Sequence, residues 1–507
     1  MDASPRSRSA IALVLLVVAG AAAHLALAGE PLLEGAAGKQ THTAMIARNL
    51  YRGRCTLLRP AVDDLGKPGY FVKEIPLVPA AAALGYSILG GVDERVGRLL
   101  SVAGWLLGVP VLAAILRRGR SATGVAVAVA WWIVAPLAFV YARAFMTDAT
   151  MVTASLAAFL AVLRFRERPD RVRAAASGAA VGLALLLKPH AVFWLGPATA
   201  LLLFARTDDA PERPAVRSLA ALAAALAIGC ALAVAWYLHA AAVHRQYPAS
   251  GATGLQGWFD AGALLDPALY AELLRQIVFM VFTPLGLVIA AAGLFLDRAR
   301  RGLADRALLG WGGGVIAQSL AFDTRLFDEA ARGTEYYQLA MVPVAALLIG
   351  RGTVAVARRF GAPRAGIAGI LCLLTIGAAL QVRAALELPD HYARILPDCA
   401  IVQQKTNPHD EIFVLADRGG TILYYCDRRG TTFVPARAVS RVFAQGDNVA
   451  GVRQIADALD RAAYVYVPFP DLLGEDSRWL AMFDANFRRV DVPDAALRLY
   501  RRQTGAR

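Results

Sequence analysis

Apolar stretches long enough to span a bilayer alternate along this chain with short arginine-rich gaps. Runs at 11–28, 97–115, 122–141 and 149–163 come first. The stretch 174–205 is too long for one helix, is bounded by arginines at both ends and is broken by Lys188-Pro189. It therefore reads as two short helices meeting at Lys188-Pro189. Runs at 218–240, 274–296, 307–321, 338–350 and 365–384 bring the total to about eleven transmembrane helices. The gaps alternate in charge. Arg117, Arg118 and Arg120 fall in one set, with the clusters Arg164–Arg173, Arg298–Arg306 and Arg351–Arg364. The short turns of the opposite set hold few basic residues: Arg143, Lys188, Arg325 and Arg332. This asymmetry places the N-terminus inside and the C-terminus outside.

Two segments depart from the spanning pattern. The outer loop 29–95 carries moderately amphipathic helical patterns over 41–52 and 76–90, separated by a Pro/Gly/Asp-rich turn. Such helices lie in the membrane interface. From 385 onward the composition becomes that of a soluble domain. Glu411–Ala416, Thr421–Cys426 and Ala462–Val467 read as strands, Asn448–Leu459 and Ser477–Phe487 as helices, and Arg488–Val492 with Leu497–Arg501 as a closing hairpin around Pro493-Asp494. Strands alternating with helices predict a small α/β domain. The chain thus divides into a transmembrane domain, 1–384, and an outer, periplasmic α/β domain, 385–507.

Composition agrees with this division. The 507 residues are 57% hydrophobic and 18% charged, with a mean hydropathy of +0.48. A soluble chain carries closer to a quarter charged residues. The net charge of +14 comes from the arginine gaps rather than a basic face with interleaved aromatics, which excludes nucleic acid as a partner. The first apolar run ends Ala26-Leu27-Ala28-Gly29, like a small-residue cleavage site, but it is long enough to span and reads as a retained anchor. Cys230 and Cys372 lie in spanning runs, whereas Cys55, Cys399 and Cys426 face an oxidising compartment, where Cys399 and Cys426 are candidates for a disulfide. No Cys/His pattern of metal-ligand spacing is present.

Ionisable residues outside the arginine gaps concentrate at the outer boundary: Glu34, His42, Arg48, Glu74, Arg143, Asp148, Lys188, Arg325, Asp328 and Glu335. Carboxylates there can act as general bases, and Arg or Lys can hold a phosphate leaving group. This suits a reaction between a lipid-borne donor and an acceptor on the outer face.

Five segments carry a family resemblance. They are Gln40-Thr41-His42-Thr43-Ala44-Met45-Ile46-Ala47-Arg48-Asn49, Lys73-Glu74-Ile75-Pro76-Leu77, Arg143-Ala144-Phe145-Met146-Thr147-Asp148-Ala149, Glu335-Tyr336-Tyr337-Gln338-Leu339 and Tyr424-Tyr425-Cys426-Asp427-Arg428-Arg429-Gly430. In order and spacing they resemble the polytopic glycosyltransferases of the GT-C fold, of the dolichyl-phosphate-mannose protein mannosyltransferase and bacterial lipid A aminoarabinose transferase type. The resemblance implies a multi-pass bacterial inner-membrane enzyme. It would move a sugar from a polyprenyl-phosphate donor to a glycan, lipid or protein acceptor, with membrane lipids around it. No cofactor is required by this reading beyond an optional divalent metal ion.

The family's first-loop catalytic aspartate is replaced here by His42. A neutral imidazole can serve as a general base near pH 7, so His42 is the first catalytic candidate, with Glu74 and Asp148 as the others. Glu74 would orient the acceptor or support a divalent ion. Asp148 would be a base or an orienting acid. Lys188 would pair with the donor phosphate, and Arg48 would do the same or brace the loop through a carboxylate. Tyr336 and Tyr337 would line the sugar pocket. Two rival readings remain at this point. A transporter or flippase would place ionisable groups near the bilayer midplane, which these nearly charge-free helix interiors do not. A catalytically degenerate scaffold would have kept the fold and lost the base.

Overall fold

A computed structural model describes residues 5–118, 121–206, 214–247, 262–296, 302–322, 335–361, 363–388, 390–416, 419–433, 456–472, 478–492 and 496–503. The chain forms two compact units. One comprises Met1–Glu30, Asp93–Ala241 and Gly254–Leu386; the other comprises Pro31–Val92, Ala242–Thr253 and Glu387–Arg507. The segment Pro31–Val92 therefore packs as one body with the carboxy-terminal residues.

The first unit is helical. Helices occupy each apolar run, and among the described residues five are long and apolar enough to cross a membrane: Glu94–Leu116, Asp148–Glu167, Val216–Gln246, Glu335–Arg359 and Ala365–Leu386. A bent pair, Pro267–Phe282 with Pro284–Phe295, makes a sixth if counted as one span. The long stretch 174–205 is two helices, Arg171–Leu187 and Val192–Phe204, separated at Lys188 and a short 3₁₀ turn, as expected. The run 274–296 corrects the expectation of one straight helix. It bends by 85° at Thr283, whose φ is +61°. Pro284 supplies the reason, since proline lacks an N–H and pushes the preceding residue out of the helical region. The Thr283 hydroxyl then accepts the Gly286 N–H at 3.2 Å and restarts the helix.

Close helix contacts in this unit are made through small residues. Gly178 and Gly182 of Arg171–Leu187 abut Gly229 of Val216–Gln246, where any Cβ would strike opposing backbone. Small residues of this kind let spanning helices approach without a side chain between them. The helices Glu94–Leu106 and Ala122–Val134 are locked differently. Trp105 and Trp132 stack 3.6 Å apart, and each indole N–H donates to the other's carbonyl, at 3.1 and 3.2 Å. Both rings are fully buried and both buried donors are satisfied.

The second unit is built on a five-stranded sheet: β1 (Glu411–Leu415), β2 (Arg429–Phe433), β3 (Tyr464–Val467), β4 (Phe487–Arg489) and β5 (Arg498–Arg502). The order is β2-β1-β3-β5-β4, with β1 parallel to both β2 and β3 and the last pairs antiparallel. Phe413, Leu415, Val465, Val467, Phe483 and Tyr500 anchor its core. The closing hairpin and the helix Arg478–Asn486 match the sequence reading, although the turn Pro493-Asp494 lies outside the described residues. Of the helix expected over 448–459, only 456–459 is described, and it is helical.

One assignment is reversed. Thr421–Cys426, expected as a strand, is a helix spanning Gly419–Cys426. A short apolar run has no periodicity that separates strand from helix, and tertiary packing decides it. Here Ile422 and Leu423 are buried, and Cys426 is disulfide-bonded to Cys399 of the helix Ile395–Lys405. Such a cross-link stabilises by about 2–4 kcal/mol, chiefly by restricting the unfolded chain. The strand position passes instead to β2, which the sequence reading missed. Its outer edge is covered by the first loop. Leu65 bridges Thr431, the Gly66 N–H donates to the Gly430 carbonyl at 2.7 Å, and the Gly430 N–H donates to the Asp63 carbonyl at 2.8 Å. The exposed sheet edge is thereby paired.

Candidate active site

In the helical unit, four helix ends that are remote in sequence meet around one ion pair. Asp148 opens the helix Asp148–Glu167, where a carboxylate opposes the positive end of the helix dipole. Lys188 caps the end of Arg171–Leu187. Its Nζ donates to Asp148 Oδ1 at 2.6 Å, and the two side chains are 3% and 1% exposed. The Lys188 ammonium also lies 5.4 Å from the centroid of the Tyr336 ring. Tyr336 packs against Tyr337 (4.4 Å) and Tyr141 (5.9 Å), and Tyr337 meets His190 at 5.8 Å. The Tyr141 hydroxyl donates to Glu335 Oε2 at 2.8 Å, and Arg275 stands 3.6 Å from Glu335 Oε1. Arg143 is fully buried and donates to the Leu27 carbonyl at 3.3 Å. The cluster thus offers a fixed ammonium beside aromatic faces, a combination suited to a phosphate and a sugar ring.

The second unit holds His42, Arg48 and Glu74 in separate settings. His42 lies on the helix Ala37–Tyr51, and its Nε2 is 2.7 Å from Asp64 Oδ2. The Phe71 ring packs on the imidazole at 4.9 Å, and the Lys73 ammonium lies 4.4 Å from the Phe71 centroid. Burial pulls the Lys73 ammonium below its usual range, partly offset by Glu74. Glu74 itself is half-buried, just before the helix Leu77–Leu89.

Arg48 is engaged by carboxylates. It donates to Asp63 Oδ2 and to the Tyr424 carbonyl, both at 2.8 Å, and stands 3.1 Å from Asp427 Oδ1. Asn49 donates to Asp63 Oδ1 at 3.1 Å, Arg429 lies 3.3 Å from the same oxygen, and Arg52 grips Asp427 with two hydrogen bonds. Burial pushes the Asp427 carboxyl up, but Arg52, Arg48 and Arg54 outweigh it and hold the group below the usual carboxylate range. This network ties the first loop to the segment that follows the helix Gly419–Cys426.

The structure therefore joins Asp148, Lys188, Tyr336 and Tyr337 in one cluster and pairs His42 and Arg48 with carboxylates the sequence reading left unnamed. Asp63 and Asp64 were visible only as part of a Pro/Gly/Asp-rich turn. Their one signal was adjacency in Ala61-Val62-Asp63-Asp64-Leu65-Gly66, which gives two acids to two helix residues. Arg325 and Asp328 lie outside the described residues. Among the described residues no group of three or more His, Cys, Asp or Glu is gathered as a metal site.

Residues 69–241 match the family model of dolichyl-phosphate-mannose-protein mannosyltransferases. Nearly the whole chain superimposes on several solved structures. ArnT from Cupriavidus metallidurans bound to undecaprenyl phosphate gives a TM-score of 0.62 at 15% identity, covering 97% of this chain and 98% of that one. The Archaeoglobus fulgidus oligosaccharyltransferase gives 0.54 at 12% identity, covering 96% and 73%. The mycobacterial arabinofuranosyltransferase AftD gives 0.52 at 14%, covering 99% and 42%. No curated protein matches by sequence. The chain has the GT-C fold of membrane glycosyltransferases, as the resemblance of its motifs implied.

Proposed function

We propose that this chain is an inner-membrane glycosyltransferase that moves a sugar from a polyprenyl-phosphate donor to an acceptor on the outer face, inverting the anomeric carbon by direct displacement. The observation that carries the reading is the family match over 69–241, set in a fold shared end to end with a transferase crystallised on undecaprenyl phosphate. In this reading His42 takes the acceptor proton and Glu74 orients the acceptor or supports a divalent ion. Lys188, steadied by Asp148, holds the donor phosphate, and Tyr336 and Tyr337 offer their faces to the sugar. Arg48, already engaged by Asp63, braces the first loop.

The test is transfer from a defined donor. Full-length protein in liposomes, given radiolabelled mannosyl and pentosyl polyprenyl phosphates with an envelope extract as acceptor, is expected to release polyprenyl phosphate in step with label transfer. Turnover of nucleotide sugars in place of lipid-linked ones would overturn the reading.

The eleven-crossing topology, with a cytoplasmic N-terminus and a periplasmic carboxy-terminal domain, belongs to the same proposal. It is supported by the Cys399–Cys426 disulfide, a bond of oxidising compartments. It is also supported by the meeting of Asp148, Lys188 and the segment Glu335–Tyr336, which the arginine pattern assigns to one face. Reporter fusions after residue 390 are expected to be active with a periplasmic enzyme and silent with a cytoplasmic one. Cytoplasmic activity there would reverse the orientation.

A further inference from the structure

We infer that Asp64 is the positioning partner of His42, fixing the ring so that Nδ1 is the nitrogen that takes the acceptor proton; the inference rests on the proposed role of His42 as base. Three observations converge. Asp64 Oδ2 is 2.7 Å from His42 Nε2, and the Asp64 side chain is only 7% exposed. A buried carboxylate facing a ring nitrogen accepts its N–H, so the neutral imidazole carries its proton on Nε2 and presents a lone pair on Nδ1. His42 remains 26% exposed at its side chain, and among the described residues its Nδ1 makes no hydrogen bond. The backbone of Gly420 closes over the pair, where a Cβ would come within 2.5 Å of Asp64 Oδ2 and 3.3 Å of His42 Nε2. Phe71 covers another side of the ring. The pair is held from three elements, with space left only for hydrogen at position 420.

In the step this serves, the acceptor oxygen bonds to the anomeric carbon as the bond from that carbon to the carrier phosphate oxygen breaks. The bonding electron pair leaves with the polyprenyl phosphate. The acceptor proton passes to Nδ1, and the resulting imidazolium rests against the Asp64 carboxylate. Release of that proton to water restores the neutral ring. Among the described residues, Lys73 lies over the Phe71 ring and interacts with Asp64 as well as with Glu74 and Lys39.

Asp64→Asn tests this. An asparagine can donate to Nε2 and so drive the proton onto Nδ1, the wrong nitrogen. The full-length protein is expected to lose about 10²–10⁴-fold in kcat, with donor KM changed by no more than about twofold. Asp64→Glu is expected to restore part of the rate. In a His42→Asp background, Asp64→Asn is expected to cost little, since no tautomer remains to be set. Gly420→Ala provides a variant that leaves both titrating groups in place, and it is expected to lower the rate in folded protein. Wild-type rate in folded Asp64→Asn, or in Gly420→Ala if Asp64→Asn does not fold, overturns the inference while leaving His42 as base. Full activity of His42→Ala instead overturns the base assignment, and this inference with it.

Discussion

Replacing His42 with alanine is expected to slow transfer from a polyprenyl-phosphate sugar by about 10²–10⁴-fold, the usual contribution of a positioned general base. The protein should still fold, at a cost of about 1–3 kcal/mol, because the change leaves the Asp64 carboxylate, 7% exposed, without its hydrogen-bond partner. His42→Asp is the informative partner. It restores the carboxylate that the resembling family carries at this place, and it is expected to keep or regain activity although its reach is shorter. Full activity of His42→Ala alongside an inactive Glu74→Ala or Asp148→Ala would move the base elsewhere. An inert wild type made active by His42→Asp would identify the chain as a scaffold that kept its fold and lost its base.

Lys188→Met is expected to destabilise the protein by about 3–5 kcal/mol, because it removes the ammonium from a carboxylate that is 1% exposed. Asp148→Asn removes the other half of the pair and is expected to cost a similar amount. The double variant Asp148→Asn/Lys188→Met should recover most of the loss, since replacing both members of a buried pair is often near neutral. Thermal unfolding in detergent measures all three against the wild type. Activity separates structure from chemistry at the same site. If Lys188 holds the donor phosphate, the double variant folds but binds polyprenyl phosphate weakly. If the lysine only neutralises Asp148, the double variant retains binding. Additive stability losses in the double variant would show that the two groups are not coupled in the folded protein.

The arrangement of apolar runs and arginines carried the helical architecture. It also carried the break at Lys188-Pro189, because hydrophobic length and charge asymmetry are local properties of the chain. The motifs likewise announced the GT-C fold, and two of the residues they singled out in the helical unit, Asp148 and Tyr336, lie together with Lys188 of the broken stretch. Other features required the fold. The 85° bend at Thr283 follows from Pro284, yet only packing decided that the chain turns there rather than kinking slightly. Thr421–Cys426 had the composition of a strand and became a helix, since its burial and its disulfide to Cys399 depend on elements distant in sequence. The partners of His42 and Arg48 were hidden for the same reason. Asp63 and Asp64 are consecutive residues of an unremarkable turn, and only the docking of that turn against β2 and the helix Ala37–Tyr51 gives one acid to the arginine and the other to the histidine. Sequence determines which groups are available and where along the apolar pattern they fall. Hydrogen-bond pairing depends on distances of a few ångströms between remote segments, and those are set only when the chain is packed.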